Sequence, residues 1–352
     1  MKKSKPNIRL STLSEFRQSG LRLSIQKGLT ELFCKKQTAN PPAPTLIPPG
    51  KLHRPLKLSL IICTAGICSG LKSAILSGLN QDAASEDYEV LVVWNREDDP
   101  PSELIPPEVR LVKEPKAGLS HARNCGAAHA CGELLLYMDD DAAAHPNLVS
   151  AMLAAAYEHP QAAIIGGQIF LQLPSPMPKI FLPGKESIWS GYTVPFRSYR
   201  PIHEQYEFPY GACFCIRAGA LEALGGFPAA YGRVGEDFQG GEETALCFLA
   251  QTHGWEIGIQ PSAGVDHWVD PRRFTPLHVK NTIRAGIFTS YRLCRDGYAP
   301  WDWDICYLTH RLRIAQKELA RLQKRRRFLE TYYKQCECEA FSDLLLTLKS
   351  ST

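Results

Sequence analysis

Short apolar runs recur along the first half of the chain, separated by stretches in which the apolar spacing lengthens. "LKLSLIIC" at 56–63, "YEVLVVW" at 88–94, "VRLVKE" at 109–114 and "ELLLYM" at 133–138 are dense in Leu, Ile and Val. Runs of that length and composition predict strands buried on both faces. Residues 71–80 and "SHARNCGAAHACG" at 120–132 read as helices, the second with Ser120 placed to cap its start and Gly132 near its end. Strands alternating with helices predict an α/β fold, a doubly wound, mostly parallel sheet flanked by helices. Ligands of such sheets bind beyond the carboxyl ends of the strands.

Elsewhere the pattern changes. Residues 170–210 hold many prolines and aromatics without a period, and predict a structureless lid or acceptor-binding loop. "IRAGALEALGGF" at 216–227 and "GEETALCFLAQTHGW" at 241–255 read as helices, and 276–335 as mainly helical. Leu308, Leu312, Ala315, Leu319 and Leu322 form one apolar seam on a strongly basic helix. Residues 1–39 suggest amphipathic helices, with Leu10, Leu13, Phe16 and Leu21 among basic residues, and "NPPAPTLIPPG" at 40–50 is a stiff linker. The predicted division is 1–57 as a basic helical extension with linker, 58–275 as the catalytic domain, and 276–352 as a helical C-terminal extension.

Charge sharpens this division. Residues 1–57 carry 12 Lys/Arg against 2 Asp/Glu, 301–352 carry 10 against 7, and 58–300 keeps 18 against 27. An acidic middle argues against nucleic acid as a partner, while the basic ends suit peripheral contact with an anionic membrane. No stretch approaches the ~18 to 20 uninterrupted apolar residues of a membrane span, and the N-terminus lacks the apolar core of a secretory signal. Its Ser- and Arg/Lys-rich first 40 residues also fit a transit peptide, a weaker reading. Twelve cysteines without a C-x-x-C pair read as buried, reduced thiols. Together these features predict a cytoplasmic protein, peripheral at the inner face of the membrane.

The chemistry concentrates where the fourth strand ends. Asp139, Asp140 and Asp141 stand side by side in "LLLYMDDDAAAHP". Such crowding makes sense when a cation sits among them, and oxygen ligands on a short loop suit Mg2+ or Mn2+ bridging carboxylates to substrate phosphates. A simple turn or capping cluster is the bland alternative. Upstream, Lys116 and Arg123 flank a Gly-containing loop that opens a helix, which is an arrangement for anions. Downstream, Glu242 and Glu243 stand at the start of a helix, either as favourable helix-terminal charges or as a general base. Glu236 and Asp237 are a rival pair; Glu242 and Glu243 are preferred because an amphipathic helix follows directly and holds them rigid. His267, after a short apolar segment, is either structural or a metal ligand.

In that order these residues are recognisable. Over roughly 58–275 the chain resembles the family 2 inverting glycosyltransferases of the GT-A fold. The matching stretches are "SLIICTAGICSGLKSAILSGLNQ", "KAGLSHARNCGAAHACGELLLYMDDD", "YGACFCIRAGALEALGGF" and "GEETALC". The resemblance implies Thr64 near the nucleotide base, Asp139 at the ribose or diphosphate, and Asp141 and His267 at the metal, with Asp139 as a further ligand. Lys116, Arg123 and Asp140 join the nucleotide side. Trp94 and Asn95 stand where the family places an Asp for the nucleotide. Glu243 takes the position of the family's catalytic Asp, with Glu242 beside it. The implied function is metal-dependent transfer, with inversion, from a nucleotide-diphosphate sugar (a UDP-sugar foremost) to a glycan or lipid-linked acceptor hydroxyl. A sugar nucleotidyltransferase and a non-catalytic nucleotide-sugar-binding protein of the same fold are the alternatives.

Overall fold

The computed structural model describes residues 46–350 apart from Ser102 and Glu236. Residues 1–45 lie outside it, so the proposed N-terminal helices and most of the linker are not described.

Four parallel strands form one half of the sheet: β1 (Leu56–Thr64), β2 (Tyr88–Trp94), β3 (Arg110–Lys113) and β4 (Gly132–Asp139). They stand in the order β3-β2-β1-β4. Two helices of this half, α1 (Leu71–Leu79) and α2 (Leu119–His129), return the chain between strands. The sheet continues through β8 (Phe214–Arg217), β6 (Ala162–Gln172) and β9 (Glu256–Trp268) to β5 (Ala142–Ala144), and β7 (Arg200–Ile202) pairs with β9. β6 and β9 are parallel to each other, and β8 runs antiparallel to both β4 and β6. Six of the nine described strands therefore share one direction, and β5, β7 and β8 oppose it.

Alternation along β1 shows why the strands read as continuous apolar runs. Leu58, Leu60 and Ile62 belong to a core shared with α1 and with α3 (Leu148–Glu158). Ile61, with Leu91, Val93, Leu135 and Tyr137, faces the opposite core, which contains residues of α2, α4 (Ala218–Ala223) and α5 (Glu242–Thr252). Both faces are covered, so both phases of the pleat must be apolar. This is the doubly wound arrangement.

Three C-terminal helices complete the described chain: α6 (Pro276–Arg295), α7 (Ile305–Lys324) and α8 (Phe328–Ser350). The α7 seam packs against α8: Leu308 is buried in one cluster with Phe341, Leu344 and Leu345, and Leu312 joins it. Its apolar stripe is thus spent inside the protein. Among the described residues no helix is long and apolar enough to cross a membrane.

Several local expectations change. Ser120 does not cap α2; the cap position is Gly118, whose φ of 132° suits glycine, and Ser120 lies buried in the first turn donating to Pro228 O. Gly132 begins β4 instead of ending α2. Residues 170–210 are not structureless: they finish β6, form short 3-10 turns at Glu186–Trp189 and Gln205–Glu207, and supply β7. The stretch "IRAGALEALGGF" begins as the end of β8, and only Ala218–Ala223 is helical. The eleven described cysteines are free, but Cys306 is exposed and only Cys213, Cys215, Cys247, Cys336 and Cys338 are buried.

Candidate active site

β2 and β3 lie on one side of β1 and β4 on the other, so the chain order reverses between β1 and β4. Crevices at such reversals are where open α/β sheets hold ligands. The register places Cys63 opposite Asp139 and Thr64 opposite Trp94, so the strands end together at this crevice. α1 approaches closely here. A Cβ on Gly70, at the α1 N-terminus, would lie 2.6 Å from Asp141 Cα, so only glycine lets the helix meet the acidic turn.

The aspartates divide their work by position. Asp139 ends β4, and Asp141 precedes β5, which runs antiparallel to β9 with Ala142 opposite His267. That pairing brings an acid and a histidine 126 residues apart into contact: His267 Nε2 lies 3.0 Å from Asp141 Oδ1. One donor atom from each of Asp139, Asp141 and His267 lies within 4.8 Å of the others. Burial disfavours charge on all three. In Asp141 the hydrogen bond and charge of His267 outweigh burial and hold the carboxyl below its usual range. The same contact outweighs burial in His267 and raises its imidazole. For Asp139 burial wins over the attraction of Arg123 and raises the carboxyl. Two carboxylates and an imidazole form a donor set that suits Mn2+ or Mg2+, with the nitrogen favouring Mn2+. The residues present therefore fit a divalent cation.

Asp140 points to the other side. Burial pushes its carboxyl up to about 6, against a hydrogen bond from Thr64. Thr64 and Asp140 thus stand together on the β1 side of the crevice. Asn95 is buried beside them, but its side chain is engaged: Nδ2 donates to Glu114 O and Lys116 O at 2.8 Å each, and Oδ1 accepts from Gly118 N at 2.9 Å. Its amide shapes the loop that opens α2, so any part it plays toward a ligand runs through that loop. Lys116 is exposed on the same loop and is not part of the cavity wall described below.

Arg123 is not a free anion receptor. It is buried beneath the acids, with Nη1 2.6 Å from Glu242 Oε1 and 3.8 Å from Glu243 Oε2, and Nη2 3.7 Å from Asp139 Oδ1. Its guanidinium lies over the Phe227 ring at 5.4 Å, and a Cβ on Gly211 would collide with it. Burial works against its charge, but Glu242, Glu243 and Asp139 overcome that and keep it a cation. One cation serves three carboxylates. Burial, then Glu243, accordingly pushes Glu242 up to about 8 despite Arg123. Glu243 differs: Oε1 accepts from Gly211 N at 3.3 Å, while the buried Oε2 has no hydrogen-bond partner among the described residues.

A cavity of about 690 Å3 opens over this centre, lined by Asp139, Arg123, Glu242 and Glu243, a size typical of ligand sites. Of the rival pair, Asp237 is exposed and not part of the wall, and Glu236 lies outside the described residues. Arg233, Arg273 and His278 also line the cavity, and sequence reasoning passed over them. Burial lowers the Arg273 guanidinium, countered by Asp141, and burial with Arg273 lowers His278 to about 4, so that ring is neutral. The Arg272–Arg273 doublet soon after His267 was the available signal.

An acidic crevice at the switch point of a doubly wound, mostly parallel sheet is the arrangement of the GT-A fold. Residues 59–222 match the family described as Glycosyl transferase family 2. A glucosyl-dolichyl phosphate glucuronosyltransferase from Haloferax volcanii is 23% identical over 151 residues, covering 43% of this chain and 47% of the relative. The chain thus spans about half the length of that relative. A crystal structure of GalNAc-T7 with UDP, GalNAc and Mn2+ aligns at 16% identity and TM-score 0.46, covering 82% of this chain and 57% of that one.

Proposed function

We propose that the protein transfers a sugar from a nucleotide-diphosphate sugar, a UDP-sugar foremost, to the hydroxyl of a glycan or lipid-linked acceptor with inversion. The observation that carries this reading is the placement of Glu243, whose Oε2 accepts no hydrogen bond among the described residues, in one cavity wall with Asp139 of the acidic centre. A divalent cation held by Asp139, Asp141 and His267 would supply positive charge against the diphosphate leaving group. Thr64 and Asp140 stand on the side that receives the nucleotide, with Asn95 shaping the loop beside it. Arg273 and Arg233 add the positive charge that sequence reasoning assigned to Lys116 and Arg123. Arg123 instead holds Glu242 and fixes the start of α5.

Glu243 is the base. Its carboxylate accepts the proton of the acceptor hydroxyl, whose oxygen bonds to the anomeric carbon as the bond from that carbon to the diphosphate breaks on the opposite face. Glu242 is engaged by Arg123 at 2.6 Å, the shortest of that cation's three carboxylate contacts, and swinging to the substrate would break it. Glu243→Gln keeps the shape and removes the proton acceptor. Turnover should fall by ~10^2 to 10^4-fold with sugar-nucleotide affinity preserved. A variant that turns over within tenfold of the wild type would remove Glu243 from this role.

The Haloferax relative is named for a lipid-linked sugar. That name and the basic N-terminal stretch support a cytoplasmic protein in peripheral contact with an anionic membrane. The seam of α7 is covered by α8, so the contact is assigned to residues 1–57.

A further inference from the structure

The cavity extends well beyond the acids and beyond residues 59–222. Its wall includes Trp301, Trp303, Tyr307 and Arg311, from the segment between α6 and α7 and from α7 itself. Thr64, Asn95 and Asp140, the nucleotide-side residues, are not part of this wall. The volume therefore lies on the acceptor side of the crevice.

We propose that this arm is an acceptor subsite for an anionic carbohydrate: a sugar ring stacks on the Trp301–Trp303 wall and a carboxylate or phosphate pairs with Arg311. The inference rests on the glycosyl-transfer reading above. Trp301 is fixed edge-on to Phe248 at 5.3 Å, and Phe248 stands on the same helix as Glu242, six residues on. At 1.5 Å per residue that is about 9 Å along the axis from the acidic centre, the reach of a disaccharide. Trp303 is tilted against Tyr307 with ring centres 5.3 Å apart. Both indoles are only half-buried, which leaves aromatic surface to the cavity.

Arg311 supplies the charge selectivity. Its guanidinium donates to Tyr307 Oη at 2.9 Å and lies 5.8 Å from the Tyr307 ring centre and 5.5 Å from that of Phe341. The head group is thus held in place, yet among the described residues no carboxylate lies within the 4.0 Å of an ion pair. A cation held against two rings without a counter-ion favours an anion from the ligand. Thr282 and Thr289 of α6, with Glu204 and Gln205, add hydroxyl, amide and carboxylate groups to the cavity wall that can hydrogen-bond to the hydroxyls of a sugar.

The test uses the full chain and three probes, measured by calorimetry with Mn2+ and UDP present: a hyaluronan hexasaccharide for carboxylate, mannose 6-phosphate for phosphate, and neutral maltohexaose. At least one anionic probe should bind about tenfold more tightly than maltohexaose, and Arg311→Gln should erase that difference. Trp303→Leu should weaken anionic and neutral probes alike. UDP affinity, read in parallel, reports the fold and the donor side of each variant. The proposal is overturned if no saccharide binds while UDP does, or if Arg311→Gln leaves the anionic preference intact. Failure of UDP itself to bind the wild type would instead sink the glycosyl-transfer reading.

Discussion

Replacing Arg123 by Gln tests the electrostatic logic of the site. Its guanidinium stands 2.6, 3.8 and 3.7 Å from carboxylate oxygens of Glu242, Glu243 and Asp139, with 4% of its side chain exposed. A charge pair about 4 Å apart is worth about 4 kcal/mol at an effective dielectric of about 20, and burial consumes much of that. Removing one partner of a buried pair nevertheless costs ~3 to 5 kcal/mol, because the remaining charges stay buried without compensation. Chemical denaturation should show a loss of that size for Arg123→Gln. The loss should also depend on pH. Glu242 has its carboxyl raised to about 8 in the folded protein, so the folded state holds a proton that the unfolded chain releases near its ordinary value. The stability this contributes is full below the unfolded value and declines until pH passes about 8. Without Arg123 the folded carboxyls rise further, and the decline continues to higher pH. The variant's deficit should therefore be larger at about pH 9 than at about pH 6. An equal deficit at both would show that Arg123 acts only by filling space.

Asp141→Ala should abolish the dependence of UDP affinity on Mn2+ while the far-ultraviolet spectrum stays native; unchanged Mn2+-dependent affinity by calorimetry would remove this residue from the metal site. A protein beginning at Leu46 should lose binding to vesicles containing phosphatidylserine, and the full chain should release from them at high salt. Equal sedimentation of both proteins would end the membrane reading.

β1, β2 and β4 could be read from the chain because a sheet covered on both faces demands uninterrupted apolar runs; β3, at the sheet edge, was read as a strand but has no buried residue. Leu58, Ile61 and Leu136 report burial however the sheet is ordered. The aspartates were equally visible, since three adjacent carboxylates at a strand end have no packing rationale. Glu242 and Glu243 were visible as residues, but not the difference between them. That difference depends on Arg123 reaching Glu242 from another helix and on Gly211 N reaching Glu243. Asn95 looked like a substitute for a nucleotide ligand and proved to be a loop clamp, because hydrogen-bond partners 19 to 23 residues away leave no trace in spacing. α3, β6 and most of β9 went unread, and with them the antiparallel β5–β9 pairing that brings His267 to Asp141. Local chemistry and burial pattern are properties of neighbouring residues, so the sequence determined the first four strands and their acidic edge. Which charges share a cation, which carboxylate it holds closest, and which C-terminal aromatics wall the cavity are contacts between distant segments. Only the folded chain decided those.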